Sequence, residues 1–464
     1  MLNLKVVKAI YDYDKPYRNF KEEIITGSAF IINEKGLVLT NAKLVISAVS
    51  IVARSEKIGK KDIILEVVGI CREKELALCK VLDLNFLNKN EFFKFSDSMK
   101  LKSGDKVFSL NPSNTGIISS FNSETYHRED SLSRNPIYMQ TNFSGTIGSP
   151  LLNYSNEVVG IFSEDNNIIP SRTFFAVYNE MMSVKIVKTP TLSLDWCETS
   201  RELMKKQTGT SSTYGIYVRK IYPDSCLDSL EKGDVIRRID YLDLTWNPDG
   251  TSKVFNPDSK PDFEKATLVT VFLDRFGTTT SVGKLKNPDE NDESKLEFET
   301  KFTSRKLELS EVVDMIPIGT QITLNMCRDR AWYKLKTEYV NIPSERLEYI
   351  EKPDFEIFSG ICVSNLYVQN DVVNDIYKKQ VIINHIFPET YASKTQSLKS
   401  GQIIKTIFGY NSNFELIKET HRVISTLDDV RYILSLKPDL IQITTTDETT
   451  FMLLNNEEDV KKYI

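Results

Sequence analysis

In the stretch QTNFSGTIGSPLL (140–152) three hydroxyls, Ser144, Thr146 and Ser149, are interleaved with Gly145 and Gly148. A hydroxyl becomes a nucleophile for peptide hydrolysis when a base takes its proton, a carboxylate orients the base and backbone amides receive the oxyanion. Bases are scarce here. The histidines are His127, His385 and His421, in unrelated segments. His127 (in SETYHRED) and His421 lie in polar stretches and read as solvent-exposed, whereas His385 lies in an apolar strand pattern and reads as a core residue. The six cysteines show no metal-ligand spacing, so neither a metal nor another cofactor is expected. Trp196, Trp246 and Trp332 read as core residues.

Short strands must carry that stretch. GSAFIINEKGLVLTNAKLV (27–45) holds two hydrophobic runs about a Glu-Lys-Gly turn, which predicts a hairpin. DIILEVVGI, LALCKVLDL, KVFSL, TGIISSF, IYMQTNF, SPLLNY, EVVGIFS and RTFFAVY follow at a rhythm that predicts antiparallel barrels or sandwiches over the first 180 residues. The pattern then changes. YGIYVRKIYPDSCLDSLEKGDVIRRIDYLDL (214–244) reads strand, helical turn, Gly-Asp, strand, and SEVVDMIPIGTQITLNMCRDRAWYKLKTEYV (310–340) reads short helix and two strands. Both orders recur at 380–411 and 426–454, so residues 190–464 form an internal repeat. The acidic stretch 285–301 predicts a solvated loop, and the Pro- and Glu-rich 341–354 a joint between the repeats.

A chain of 464 residues predicts two to four domains, and 41% hydrophobic with 27% charged residues predicts a soluble globular class. A net charge of −5 gives no reason to expect nucleic acid or an anionic membrane as a partner. The N-terminus is too broken by charge for a signal peptide, and no apolar run is long enough to cross a bilayer. With cysteines that read as reduced and buried, an intracellular, cytosolic-type compartment is expected.

The N-terminal part resembles the HtrA/Deg family of trypsin-fold serine proteases. GSAFIINEKGLVLTNAKLV matches the hairpin that leads to that family's histidine, and Lys43 stands at the histidine position. ELALCK places Glu75 at the aspartate position, and QTNFSGTIGSPLL places Ile147 at the serine position, with Gly145, Thr146 and Ile147 as the oxyanion loop. RTFFAVYNE resembles the closing strand of the second barrel, and the two repeats resemble PDZ modules. The resemblance implies a mainly β protein: an N-terminal extension (1–24), a trypsin-like double β-barrel (25–188) and two PDZ-like α+β modules. The first module spans 189–340, with an insertion at about 250–305, and the second spans 355–464.

Isoleucine has no nucleophilic atom. Lysine, with an ordinary pKa of about 10.4, would need to fall by about three units, roughly 4 kcal/mol, to serve as a base near pH 7, and Glu75 would oppose that fall. An ion pair between Lys43 and Glu75 is expected in place of the histidine–aspartate bond. The three positions together predict no enzyme but a proteolytically inactive relative that binds polypeptides or forms an oligomeric, chaperone-like scaffold; the family's assembly implies a trimer-based homo-oligomer. The alternatives are an atypical serine protease using Ser149 with Lys43, and a structural component of a larger assembly. PDZ modules take an extended peptide by strand addition. The resemblance places the candidate peptide loops at Leu192, Ser193 and Leu194 in the first module and at Gly360, Ile361 and Cys362 in the second.

Overall fold

In LNLKVVKAI alternate residues Leu2, Leu4 and Val6 are buried, the period of a strand with one face inward. This segment is β1 (Leu2–Ile10), followed by β2 (Lys21–Ile31), β3 (Leu37–Asn41), a short helix α1 (Ala42–Val45), β4 (Ala48–Arg54), β5 (Ile63–Cys71) and β6 (Leu76–Val81). The strands close a barrel in the order β1-β2-β3-β6-β5-β4. The expected extension 1–24 therefore begins with a strand of the first barrel. The structure, a computed structural model, describes the whole chain except residues 56–60, 84–91, 111–112, 123–137, 191, 193, 210–213, 222–224, 228, 250, 260, 288–296, 304, 341–351, 367–379, 396 and 456–464.

A second barrel is built from β7 (Lys106–Leu110), β8 (Ser113–Asn122), β9 (Tyr138–Thr141), β10 (Pro150–Leu152), β11 (Val158–Phe162) and β12 (Asn167–Pro170), closed in the order β10-β11-β12-β9-β8-β7. Val38, Leu44 and Ala77 are among the residues that fill the first barrel, and Val107, Ile118 and Leu151 the second. Phe30, Leu39, Ile161 and Phe174 form a further core with the helix α2 (Ser171–Ser183). RTFFAVYNE is thus helical, not a closing strand. Every residue from Ser171 to Tyr178 is buried, so no polar face reveals the helical period.

The first repeat contains β13 (Leu194–Cys197), α3 (Arg201–Thr208), β14 (Ile216–Ile221), β15 (Val235–Asp243), β16 (Thr267–Leu273), β17 (Thr279–Leu285), β18 (Phe298–Lys301), α4 (Leu309–Met315), β19 (Gln321–Arg328) and β20 (Ala331–Glu338). Its strands form one eight-stranded sheet in which β15 pairs with β14, β16 and β19. The insertion contributes β16–β18 to this sheet, so the acidic segment expected as loop ends in a strand. A capping box between Glu308 and Glu311 starts α4. Trp246 is buried, but Trp332 on β20 is 45% exposed and does not belong to the core.

This module and the double barrel form one unit, Met1–Val7 with Ile24–Pro343. The guanidinium of Arg172 on α2 meets Asp97 at 3.2 Å and also pairs with Asp243 of β15, all three side chains being buried. Phe255, from the insertion, stacks on Phe175 with ring centroids 4.4 Å apart and packs edge-on against Phe174 and Tyr178. Lys74 pairs with Asp314 of α4.

The second unit is Lys8–Glu23 with Ser344–Ile464. It holds β21 (Phe355–Phe358), β22 (Ile361–Asn365), β23 (Val381–Ile386), β24 (Ile403–Tyr410), β25 (Arg422–Val423), α5 (Leu427–Ser435), β26 (Leu440–Thr445) and β27 (Thr450–Leu454). Strand order is β21-β22-β23-β24-β26-β27, with β25 on β24. The pairing β22-β23-β24-β26-β27 repeats the first module's β13-β14-β15-β19-β20. His385 is partly buried between the rings of Tyr17 and Phe387. His127 lies outside the described residues.

Candidate functional site

Asn41, at the end of β3, caps α1: its side-chain oxygen accepts from the Lys43 amide at 2.9 Å. That cap turns Lys43 toward the edge where the two barrels meet. Glu75 occupies a left-handed turn between β5 and β6 (φ 53°), held by its amide to the Arg72 carbonyl and by its carbonyl to the Ala42 amide. Lys43 Nζ lies 2.7 Å from Glu75 Oε1, the pairing expected from the sequence. It also lies 2.8 Å from Glu164 Oε2, contributed by the second barrel after β11. Ser163 donates its hydroxyl to Glu75 Oε2, and Asn41 Nδ2 donates to Ser163 Oγ at 3.2 Å.

Partial burial of Lys43 works against its charge, but the hydrogen bonds to Glu164 and Glu75 outweigh it and hold its pKa above the ordinary lysine value. An ammonium so held cannot accept a proton near pH 7. Nothing in the local sequence marks Asn41, Ser163 or Glu164, because they join Lys43 and Glu75 only through the meeting of the two barrels.

The loop 145–149 keeps a tight turn. Gly148 has φ 81°, and a Cβ there would come within 2.1 Å of the Ser28 carbonyl oxygen, so no other residue fits without displacement. The Gly148 amide donates to the Phe162 carbonyl at 2.8 Å, the Ser149 amide to Thr146 at 2.9 Å, and Ile147 accepts from the Ser28 amide at 2.8 Å. Ile147 is half-buried against the apolar core of the first barrel. Ser149 is fully buried and its hydroxyl has no hydrogen-bond partner among the described residues, so it does not present a nucleophile to solvent. Thiol chemistry is closed as well at Cys79 and Cys362, where burial pushes the pKa up to about 12.

The peptide-loop candidates separate. Leu192 is buried, its carbonyl accepting from Ser225 at 2.5 Å; Leu194 begins β13; Ser193 lies outside the described residues. β13 pairs only with β14 among the described residues, leaving an open edge. In the second module the expectation fails. Gly360 (φ 80°) and Ser359 (φ 49°) form the turn of a hairpin, and Ile361 and Cys362 are fully buried in β22, which is paired on both edges by β21 and β23. A strand with both edges paired cannot receive a peptide by strand addition.

Two closed barrels, with the loop of the second facing the α1 turn of the first, define a trypsin-like double barrel followed by PDZ-like modules. Residues 27–161 match the trypsin-like peptidase domain family. The chain is 28% identical over 238 residues to a protein of Marinomonas sp. named as a probable periplasmic serine endoprotease, DegP-like, covering 45% of this chain and 47% of that one. A protein of the same name from Halomonas elongata is 29% identical over 236 residues, 46% of this chain and 47% of that one. The chain thus spans about half the length of the curated relatives it matches. Among solved structures it is similar to the HtrA-type protease AlgW with decapeptide, at 19% identity over 74% of this chain and 95% of that one, TM-score 0.42. AlgW with tripeptide is similar at 18% identity, 74% and 93% coverage and TM-score 0.45.

These relatives correct two expectations. Exclusion of the chain from the enzymes rested on three substituted positions alone; the relatives are named as serine endoproteases, and the exclusion is withdrawn. They are also named as periplasmic, which overturns the expected intracellular, reducing compartment. Buried free cysteines do not decide between the two, because an unpaired thiol shielded from solvent is inert in either.

Proposed function

We propose that this protein binds extended polypeptides on an HtrA/Deg-like scaffold, holding clients as a homo-oligomer, with Lys43 and Glu75 bracing the junction of its two barrels. The supporting observation is the Lys43–Glu75–Glu164 network: the residue in the base position is a cation clamped by two carboxylates, opposite a side chain with no nucleophile. The outer edge of β13, which takes no strand among the described residues, is the acceptor that strand addition would use. The PDZ-like boundaries, 189–340 and 355–464, belong to this reading.

The relatives' names favour a second reading, hydrolysis through a hydroxyl elsewhere in the cleft, since Ile147 carries none. Ser163 is the hydroxyl that touches the Lys43–Glu75 pair. One experiment separates the two. The protein is incubated with unfolded casein and a fluorophosphonate probe, while light scattering follows aggregation of a thermally unfolded client. Suppressed aggregation without labelling supports holding. Casein cleavage with labelling that Ser163→Ala abolishes supports hydrolysis and overturns the first reading.

A further inference from the structure

Within the internal repeat, the first module has no described strand in the place that β21 takes in the second. β22 of the second module corresponds to β13 of the first by its place in the pairing order, yet among the described residues β13 is paired on one edge and β22 on both. β21 fills that edge, antiparallel, with Phe355 opposite Ser364 and Phe358 opposite Ile361. It pairs with nothing else among the described residues, and α5 packs against both β21 and β22. The segment therefore lies where an added strand would lie, between a strand edge and a helix.

Its fastening is of an unusual kind for a core strand. Arg431 of α5 forks onto Asp354, Nη1 to Oδ2 at 2.9 Å and Nη2 to Oδ1 at 2.6 Å, and its Nε reaches Glu356 Oε2 at 3.2 Å. Nη2 also reaches the Phe355 carbonyl at 3.4 Å. Such bidentate pairing fixes register as well as position. The Ser359–Gly360 turn, with both φ positive, is the type I′ geometry that folds a strand back on its neighbour in two residues.

We propose that Asp354–Phe358 is a built-in occupant of the second module's peptide slot, latched by Arg431, and that its displacement opens β22 to an extended polypeptide strand with an acidic residue at the latch. This extends the polypeptide-binding reading above, and rests on it only for the view that the modules take peptides as strands. The first module is then the open acceptor, and the second is a self-filled one. The tether keeps the occupant at a high local concentration, so a competing strand gains access only when the latch is weakened.

The test uses the full chain and a fluorescent heptapeptide of its own sequence, KPDFEIF (352–358), read by anisotropy. In the D354A/E356A double variant the tethered strand loses its latch, while Arg431 remains for the added peptide. That variant is expected to bind the peptide about tenfold more tightly than the unaltered chain, and adding Arg431→Ala to be expected to remove the gain. Amide exchange of Ile361–Asn365 should rise in the double variant by about the same factor, while β24 and β26 stay protected. Equal binding by both proteins, including none by either, overturns the proposal, as does binding indifferent to Arg431→Ala. Loss of the module's fold in the double variant overturns it too, since a displaceable strand cannot be required by the core. Because the probe comes from the chain itself, a negative result here leaves the client-aggregation assay to decide the broader reading separately.

Discussion

Replacing Arg172 with alanine removes the cation that joins α2 to the first PDZ-like module. Its guanidinium is 2% exposed, and the carboxylates of Asp97 and Asp243 are 2% and 0% exposed. Burial alone disfavours the charge, but the two aspartates more than restore it and raise the pKa of the guanidinium. Without it both carboxylates stay buried, because Trp246 Nε1 still holds Asp97 at 2.6 Å and Thr245 still holds Asp243 at 2.7 Å. Removing one partner of a buried ion pair costs about 3–5 kcal/mol. Loss of the guanidinium stacked 4.6 Å over the Trp246 ring adds about 1 kcal/mol. Urea unfolding followed by tryptophan fluorescence should show a loss of about 4–6 kcal/mol. Replacing all three at once (R172M with D97N and D243N) should recover most of it, since no buried charge is left unpaired. A loss below about 1 kcal/mol for R172A, the worth of an exposed pair, would refute the view that this cluster fastens the module.

Ile147→Ser alone should give no fluorophosphonate labelling at position 147, because Lys43 stays protonated; adding Lys43→His and Glu75→Asp should produce it, as read by gel fluorescence. Gly148→Ala should lower stability by about 2 kcal/mol or more, seen as a fall in melting temperature, because the new Cβ meets backbone at a positive φ. Partial burial, with help from Lys15 and Arg18, lowers the His385 pKa. The unfolded chain then takes up that proton first, so the second unit should lose stability as pH falls from about 6.5 toward the lower folded value. His385→Gln should flatten that acid limb in thermal melts. Lys43 has the opposite sign: its folded pKa is raised, so its contribution is full below about pH 10.4 and is lost at higher pH, and Glu75→Gln should shrink that alkaline loss.

Strand rhythm and motif order made both barrels and the repeat legible, because period-two burial and turn residues are local signals. α2 was not legible. Its first eight residues are all buried, the polar Ser171, Arg172 and Thr173 included, so no polar face marks the helical period, and two adjacent phenylalanines favour a strand reading. The turn at Ser359–Gly360 misled for a related reason. A glycine with positive φ serves a carboxylate-binding loop and a type I′ hairpin equally well, and only the pairing of β21 with β22 distinguishes them. Lys43, Glu75 and Ile147 were found because the motif preserves their positions. Glu164 was not, because 121 residues separate it from Lys43 and no pattern near either announces the contact.

Glu164 also explains how the substituted cleft stays balanced. A neutral histidine, an aspartate and a serine hydroxyl carry one net negative charge. Lys43 paired with Glu75 alone would be neutral; with Glu164 the set again carries one. The formal charge is therefore the same, while Lys43, unlike an imidazole, holds its proton near neutral pH. A relay works because imidazole changes charge near neutral pH, whereas the lysine between two carboxylates is held further from that range than a free one. The same contacts that immobilise the proton tie α1 of the first barrel to the Ser163–Glu164 turn of the second. Chemistry that this chain performs at the junction must therefore start from a different hydroxyl and a different base, and binding needs neither.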